Sequence, residues 1–236
     1  MEAEENAIDS NIKMIEEAIY KFPLSLNALD NTNLEMIVND YLPYSMGMEF
    51  ECYADKFNED KFKKIPDIMD VNGCSSEIRF RIPNGIKGLV CLWHILIEVK
   101  KQVKIDLGSS NHYHTDFTDV WSKMSQDFKK AEIKWVLEEL KTWGTAVDYN
   151  MINSWYRWNS LETLEIRIGE PSFDYAVIVK RLIQCCDISK RVKFNLLSIE
   201  EQQQVRSLTK ELELLKATII VPKLDSNDEV KNIINN

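Results

Sequence analysis

The sequence predicts an α+β fold: one sheet, charged on one surface and apolar on the other, with helices packed on the apolar face. Three observations predict it. Four short segments alternate ionisable and apolar residues. One long helical segment, 85–104, is apolar around much of its circumference, as a helix buried under a sheet must be. Apolar residues make up 44% of the 236 positions, with six Trp and nine Phe, enough for a sizeable core.

Side chains on a strand point to opposite faces with period two. In the segment from Ser160 to Ile168, the apolar Leu164, Ile166 and Ile168 alternate with Glu165 and Arg167. Glu49 and Glu51 flank Phe50. Glu77, Arg79 and Arg81 alternate with Ile78, Phe80 and Ile82. His112, His114 and Asp116 alternate with Tyr113, Thr115 and Phe117. Each segment can bury one face and present an ionisable one.

The chain runs as follows. A helix is expected over 9–21, with Ile12, Ile15 and Ile19 on one stripe and Asp9 or Ser10 as cap. A second follows over 33–42. The first charged strand lies between Tyr44 and Tyr53, and 54–70 is loop or partial helix. Asn72-Gly73 is a turn signal before the strand Glu77 to Ile82. The helix 85–104 follows. A tight loop at Gly108 leads into the strand His112 to Phe117. Helix covers 119–142, broken near Ser125, and 145–160 reads as irregular. After the strand ending at Ile168, a Gly169-Glu170-Pro171 turn opens a helix from Ser172 to about Ser189. Ser198-Ile-Glu-Glu is a capping box for a last long helix. On it Val205, Leu208, Leu212 and Leu215 form a stripe that seats on this domain or on a second copy. A short strand is expected at Thr218 to Val221, then a frayed polar tail. The expected division is a helical arm at 1–43, an α+β domain at 44–194, and a helix with polar tail at 195–236.

Composition excludes several classes. A formal charge of −9 disfavours a broad nucleic-acid surface. No run of about 18 apolar residues exists, so no membrane span is expected. The acidic, polar start MEAEENAIDS is unlike a secretory signal. These features predict a soluble, cytoplasmic protein. Five Cys at 52, 74, 91, 185 and 186 contain no CxxC pair and form no disulfide framework. His94 reads as a core or helix-surface residue.

The ionisable faces carry the chemistry. Glu49 and Glu51, two residues apart on a strand, put their carboxylates roughly 7 Å apart on one face. Together with Glu165 and one of His112 or His114 they could surround one or two hard cations, Mg²⁺ or Mn²⁺. Like-charged carboxylates on one surface are costly without a cation. Arg79, Arg81 and Arg167 could relieve that repulsion, or hold the phosphates of a nucleotide bidentately. Alternating charge is also what a solvated sheet face looks like.

Four motifs, in order GMEFE, NGCSSEIRFRIP, GSSNHYHTDF and RWNSLETLEIRIGEPSFDYAVIVKRL, resemble the amidoligase family. These are carboxylate–amine ligases related to glutamine synthetase and glutamate–cysteine ligase. The resemblance spans about residues 45–190. It implies a curved, mostly antiparallel sheet like the catalytic domain of glutamine synthetase. It also implies a ligase that uses ATP and Mg²⁺ (or Mn²⁺) to join an amino-acid or peptide carboxylate to an amine through an acyl phosphate. Carried over position by position, it makes Glu49, Glu51, His112 and Glu165 the metal set. Glu77, His114 and Arg167 become the catalytic set. Asn159 and Arg167 take the nucleotide, and Arg79 and Arg81, which lie outside the family's pattern, could join them as phosphate-binding groups.

The chain departs from the pattern in three ways. Glu77 leads into Ile-Arg-Phe-Arg-Ile-Pro instead of a small Ser-Pro-like segment, which adds Arg79 and Arg81 near the substrate. Asn111 replaces the Gly before the first His. The chain leaves little room for a nucleotide lid. A relative that keeps the fold as a scaffold in a homo-oligomer or larger assembly, without the chemistry, is therefore the second expectation.

Overall fold

A computed structural model describes residues 13, 15–21, 31–53, 57–74, 76–102, 110–142, 156–158, 161–168 and 172–218. The chain divides into two compact units, Asn39–Leu197 on one side and Met1–Val38 with Ser198–Asn236 on the other.

The larger unit is α+β. Helix α1 (Asn31–Tyr41) runs into it, and β1 (Met46–Glu51), the short α2 (Glu59–Phe62), β2 (Asp70–Gly73) and β3 (Glu77–Ile82) follow. Next come α3 (Gly85–Gln102), β4 (Asn111–Asp116), a 3₁₀ turn at Trp121–Lys123 and α4 (Gln126–Thr142). β5 (Tyr156–Trp158), β6 (Thr163–Ile168) and α5 (Tyr175–Asn195) complete it. The six strands form one sheet in the order β2-β3-β1-β4-β6-β5, and every neighbouring pair is antiparallel.

Alternation produces the two faces. Met46, Met48, Phe50, Ile78, Phe80, Ile82, Leu164, Ile166 and Ile168 are buried on one side. Helix α3 lies on β3, α5 lies on β4, and the two helices touch. α3 buries Leu89, Leu92, Ile95, Leu96 and Val99, the three-and-four spacing of a helix face. Its first turn sits hard against the preceding strand: a Cβ at Gly88 would lie 2.1 Å from the Pro83 carbonyl oxygen. Aromatic rings knit the layers. Phe50 meets Phe173 edge-on at 5.2 Å and Phe80 at 5.7 Å.

Several boundaries differ from the sequence reading. Asn72 and Gly73 do not turn; they pair with Arg79 and Ile78 as part of β2, and the reversal comes after them. Asn-Gly favours a turn only when the flanking residues find partners around it, and here the partners of β3 reach one step further. Tyr156–Trp158, read as irregular, is edge strand β5. Its three residues are too few to show a period. α5 begins at Tyr175 because the Asp174 side chain accepts the Val177 N–H at 3.0 Å. It continues past Ser189 to Asn195 because Val192 extends the buried stripe of Ile188 and Ser189. The break near Ser125 is present, and the Ser125 hydroxyl accepts the Phe128 N–H at 3.1 Å. His94 lies on the exposed surface of α3.

In the smaller unit, residues 15–20 are helical and Ile15 and Ile19 are buried. Helix α6 (Ile199–Thr218) opens with the expected reciprocal cap. Ser198 N–H donates to the Glu201 carboxylate at 2.8 Å, and Glu201 N–H donates to the Ser198 hydroxyl at 3.3 Å. Val205, Leu208 and Leu215 of the predicted stripe are exposed. Ile12, residues 219–221 with the expected strand, and the tail lie outside the described residues. Among the described residues no helix is long and apolar enough to cross a membrane.

Candidate functional site

Residues directly opposite each other in neighbouring antiparallel strands share a face. Register therefore decides which ionisable groups meet. Arg79, Glu49, His112 and Arg167 form one row across β3, β1, β4 and β6. Arg81, Gly47, His114 and Glu165 form the next. Glu77 stands opposite Glu51. All four ionisable segments thus present their charges on a single surface.

The centre of that surface is closed to water and its edge is open. Glu165 is fully buried and His112 only 2% exposed, while Arg79 on β3 is 58% exposed. His112 is the hub. Its Nδ1 lies 2.9 Å from Glu49 Oε2 and 3.9 Å from Glu165 Oε1. Its Nε2 lies 3.0 Å from the Ser110 hydroxyl and 3.3 Å from Glu51 Oε1. Ser110 Oγ in turn donates to Glu51 Oε2 at 2.6 Å. One imidazole thus stands between Glu49 and Glu165 on one ring nitrogen and Glu51 and Ser110 on the other.

Gly47 makes room for the second histidine. A Cβ there would lie 3.0 Å from the His114 Cβ and 3.6 Å from its Cγ. With no side chain on β1 at that point, His114 leans across the strand and brings Nε2 to 3.2 Å from Glu49 Oε1. Its Nδ1 is 3.3 Å from the Thr163 hydroxyl. Arg167 Nε donates to Glu165 Oε1 at 2.6 Å. Arg79 Nε contacts Glu77 and lies 3.4 Å from Glu49 Oε1. Arg81 points the other way along β3, to Asp116 at 3.6 Å and the Ser45 hydroxyl at 3.4 Å.

Burial alone would raise the Glu49 pKa. Hydrogen bonds and charge from His112 and His114 outweigh that and hold the carboxyl well below the usual carboxylate range. A depressed native pKa contributes stability that is complete above the unfolded value, about 4.5, and is lost as pH falls through the native value. Below about pH 4.5 the wild-type melting temperature should therefore fall more steeply than that of Glu49→Gln. Melting curves from pH 6 down to about 3 check this, and parallel profiles would refute it.

Of the residues predicted from sequence, Glu49, Glu51, Glu77, Arg79, His112, His114, Glu165 and Arg167 come together. Arg81 lies on the same face but reaches a different acid. Asn159 lies outside the described residues. Ser110 was missed. Carrying the alternation of His112 and His114 back by two residues would have found it.

The donor set is oxygen-rich with imidazole, the chemistry that suits Mg²⁺ or Mn²⁺. Yet among the described residues no three of His, Cys, Asp and Glu are arranged to hold a metal ion as the side chains now lie. Two of the acids meet guanidinium groups instead: Arg79 lies 3.4 Å from Glu49, and Arg167 donates to Glu165. In comparisons with known proteins, no family model and no curated protein matches the chain.

Proposed function

We propose that this charged face is the active site of a carboxylate–amine ligase dependent on ATP and Mg²⁺. The observation that carries the reading is the meeting of Glu49, Glu51, His112, His114 and Glu165 on three adjacent strands, with Arg167 held against Glu165. A site this rich in acids and guanidinium groups, half closed to water, is what phosphoryl transfer to a carboxylate needs. The substrate carboxylate takes the terminal phosphoryl group of ATP and ADP leaves. An amine then attacks the acyl carbon, phosphate leaves, and the amide forms.

In this scheme Arg167, Arg79, Arg81 and Asn159 hold phosphates, Glu77 contacts the substrate, and His114 steadies the transferring group. Glu49, Glu51, His112 and Glu165 are the residues that would hold the cation, which when bound neutralises phosphate charge. The substrates are an amino-acid or peptide carboxylate and an amine, and the work is cytoplasmic, away from nucleic acid and membrane.

Calorimetric titration with ATP and Mg²⁺ tests this. The native protein should bind, and Glu49→Gln and Glu165→Gln should each weaken binding by about tenfold or more, the loss expected when a buried charge partner goes. Absence of nucleotide binding in the native protein sinks the ligase reading.

One observation favours a second reading. Arg79 beside Glu49 and Arg167 against Glu165 neutralise the acids from within. Such a face needs no cation to be stable. It would belong to a catalytically inactive protein that uses the amidoligase-like fold in a homo-oligomer or larger assembly.

A further inference from the structure

We infer that Arg79 is a resident counter-ion of Glu49 which a divalent cation has to displace, so that this side chain lowers the cation affinity of the site. The inference rests on the metal-dependent reading above. β3 carries two arginines on the charged face, and they part company: Arg81 turns to Asp116 and Ser45, and only Arg79 reaches the acid cluster.

Arg79 bridges two carboxylates. Its Nε contacts Glu77 and lies 3.4 Å from Glu49 Oε1. Glu77 sits two residues away on the same strand and face, so it anchors the guanidinium whether or not Glu49 is engaged. The side chain is 58% exposed, so it leaves Glu49 without opening the core. The other partners of Glu49 lack that freedom. His112 is 2% exposed and His114 13%, and each is held by a further contact, to Ser110 or Thr163. Arg79 is therefore the mobile member. It swings about Glu77, closing the acid cluster in the absence of a cation and yielding Glu49 in its presence.

Displacing an exposed ion pair is cheap, which sets the size of the effect. Manganese(II) titrated into the purified protein by calorimetry, with no nucleotide present, should bind about three- to fivefold more tightly to Arg79→Gln than to wild type. Arg79→Lys, which keeps the charge, should return to the wild-type value. Lys63→Gln, which removes a positive charge paired with Glu59 elsewhere on the surface, should also match wild type. Equal Mn²⁺ affinity in wild type and Arg79→Gln, or equal tightening in Lys63→Gln, overturns the counter-ion role alone. No Mn²⁺ binding to either wild type or Arg79→Gln overturns the metal-dependent reading and this inference with it.

Discussion

Glu165→Leu should destabilise the protein by about 2–4 kcal/mol, because it removes one partner of a buried ion pair and leaves the other facing an apolar side chain. Glu165 is fully buried and accepts from Arg167 at 2.6 Å, with His112 3.9 Å away. Its loss leaves the Arg167 guanidinium without that acceptor. Arg167 is 29% exposed, so water recovers part of the loss, which is why the effect stays below the full cost for a wholly buried pair. Urea denaturation of Glu165→Leu and of the double variant Glu165→Leu/Arg167→Leu measures it. The double variant should regain at least half of the lost stability. A single variant within about 0.5 kcal/mol of wild type would mean that the pair does not hold β6 in place.

Phe50→Ala should cost about 3–5 kcal/mol, the range for emptying a large aromatic from a packed core. Phe50 is fully buried under β1, edge-on to Phe173 and against Phe80. It lies between Glu49 and Glu51 in sequence and on the opposite face, so it seats the strand that carries both acids. Losing it should therefore also weaken any ligand held on the charged face, although no ligand-facing atom changes. A variant that melts within about 4 °C of wild type would show that the neighbouring rings close over the gap.

Much of the site is legible in the sequence. Alternation in four segments identified Glu49, Glu77, His112 and Glu165 as sharing faces with their neighbours, and the structure puts all of them on one surface. The helix 85–104 announced itself by apolar spacing, and the capping box at Ser198 reads directly from Ser-x-x-Glu. β5 was not legible, because three residues give no period and its pairing with β6 is the only thing that makes it a strand. The Asn72-Gly73 pair misled for a related reason. Turn propensity is a local preference, and the ladder with β3 overrode it.

What the sequence by itself determined is which side chains share a face, since a pleated strand leaves no choice in that. It also determined that the opposite faces are apolar enough to be buried together. Only the tertiary structure decided which acid meets which base. β1 lies between β3 and β4, so Glu49 falls between Arg79 and His112, and β6 lies beside β4, so Arg167 falls beside His112 in the same row. Strand order joins residues 30 to 63 positions apart, and no local period carries that information. The meeting of Arg79 with Glu49 follows from that order.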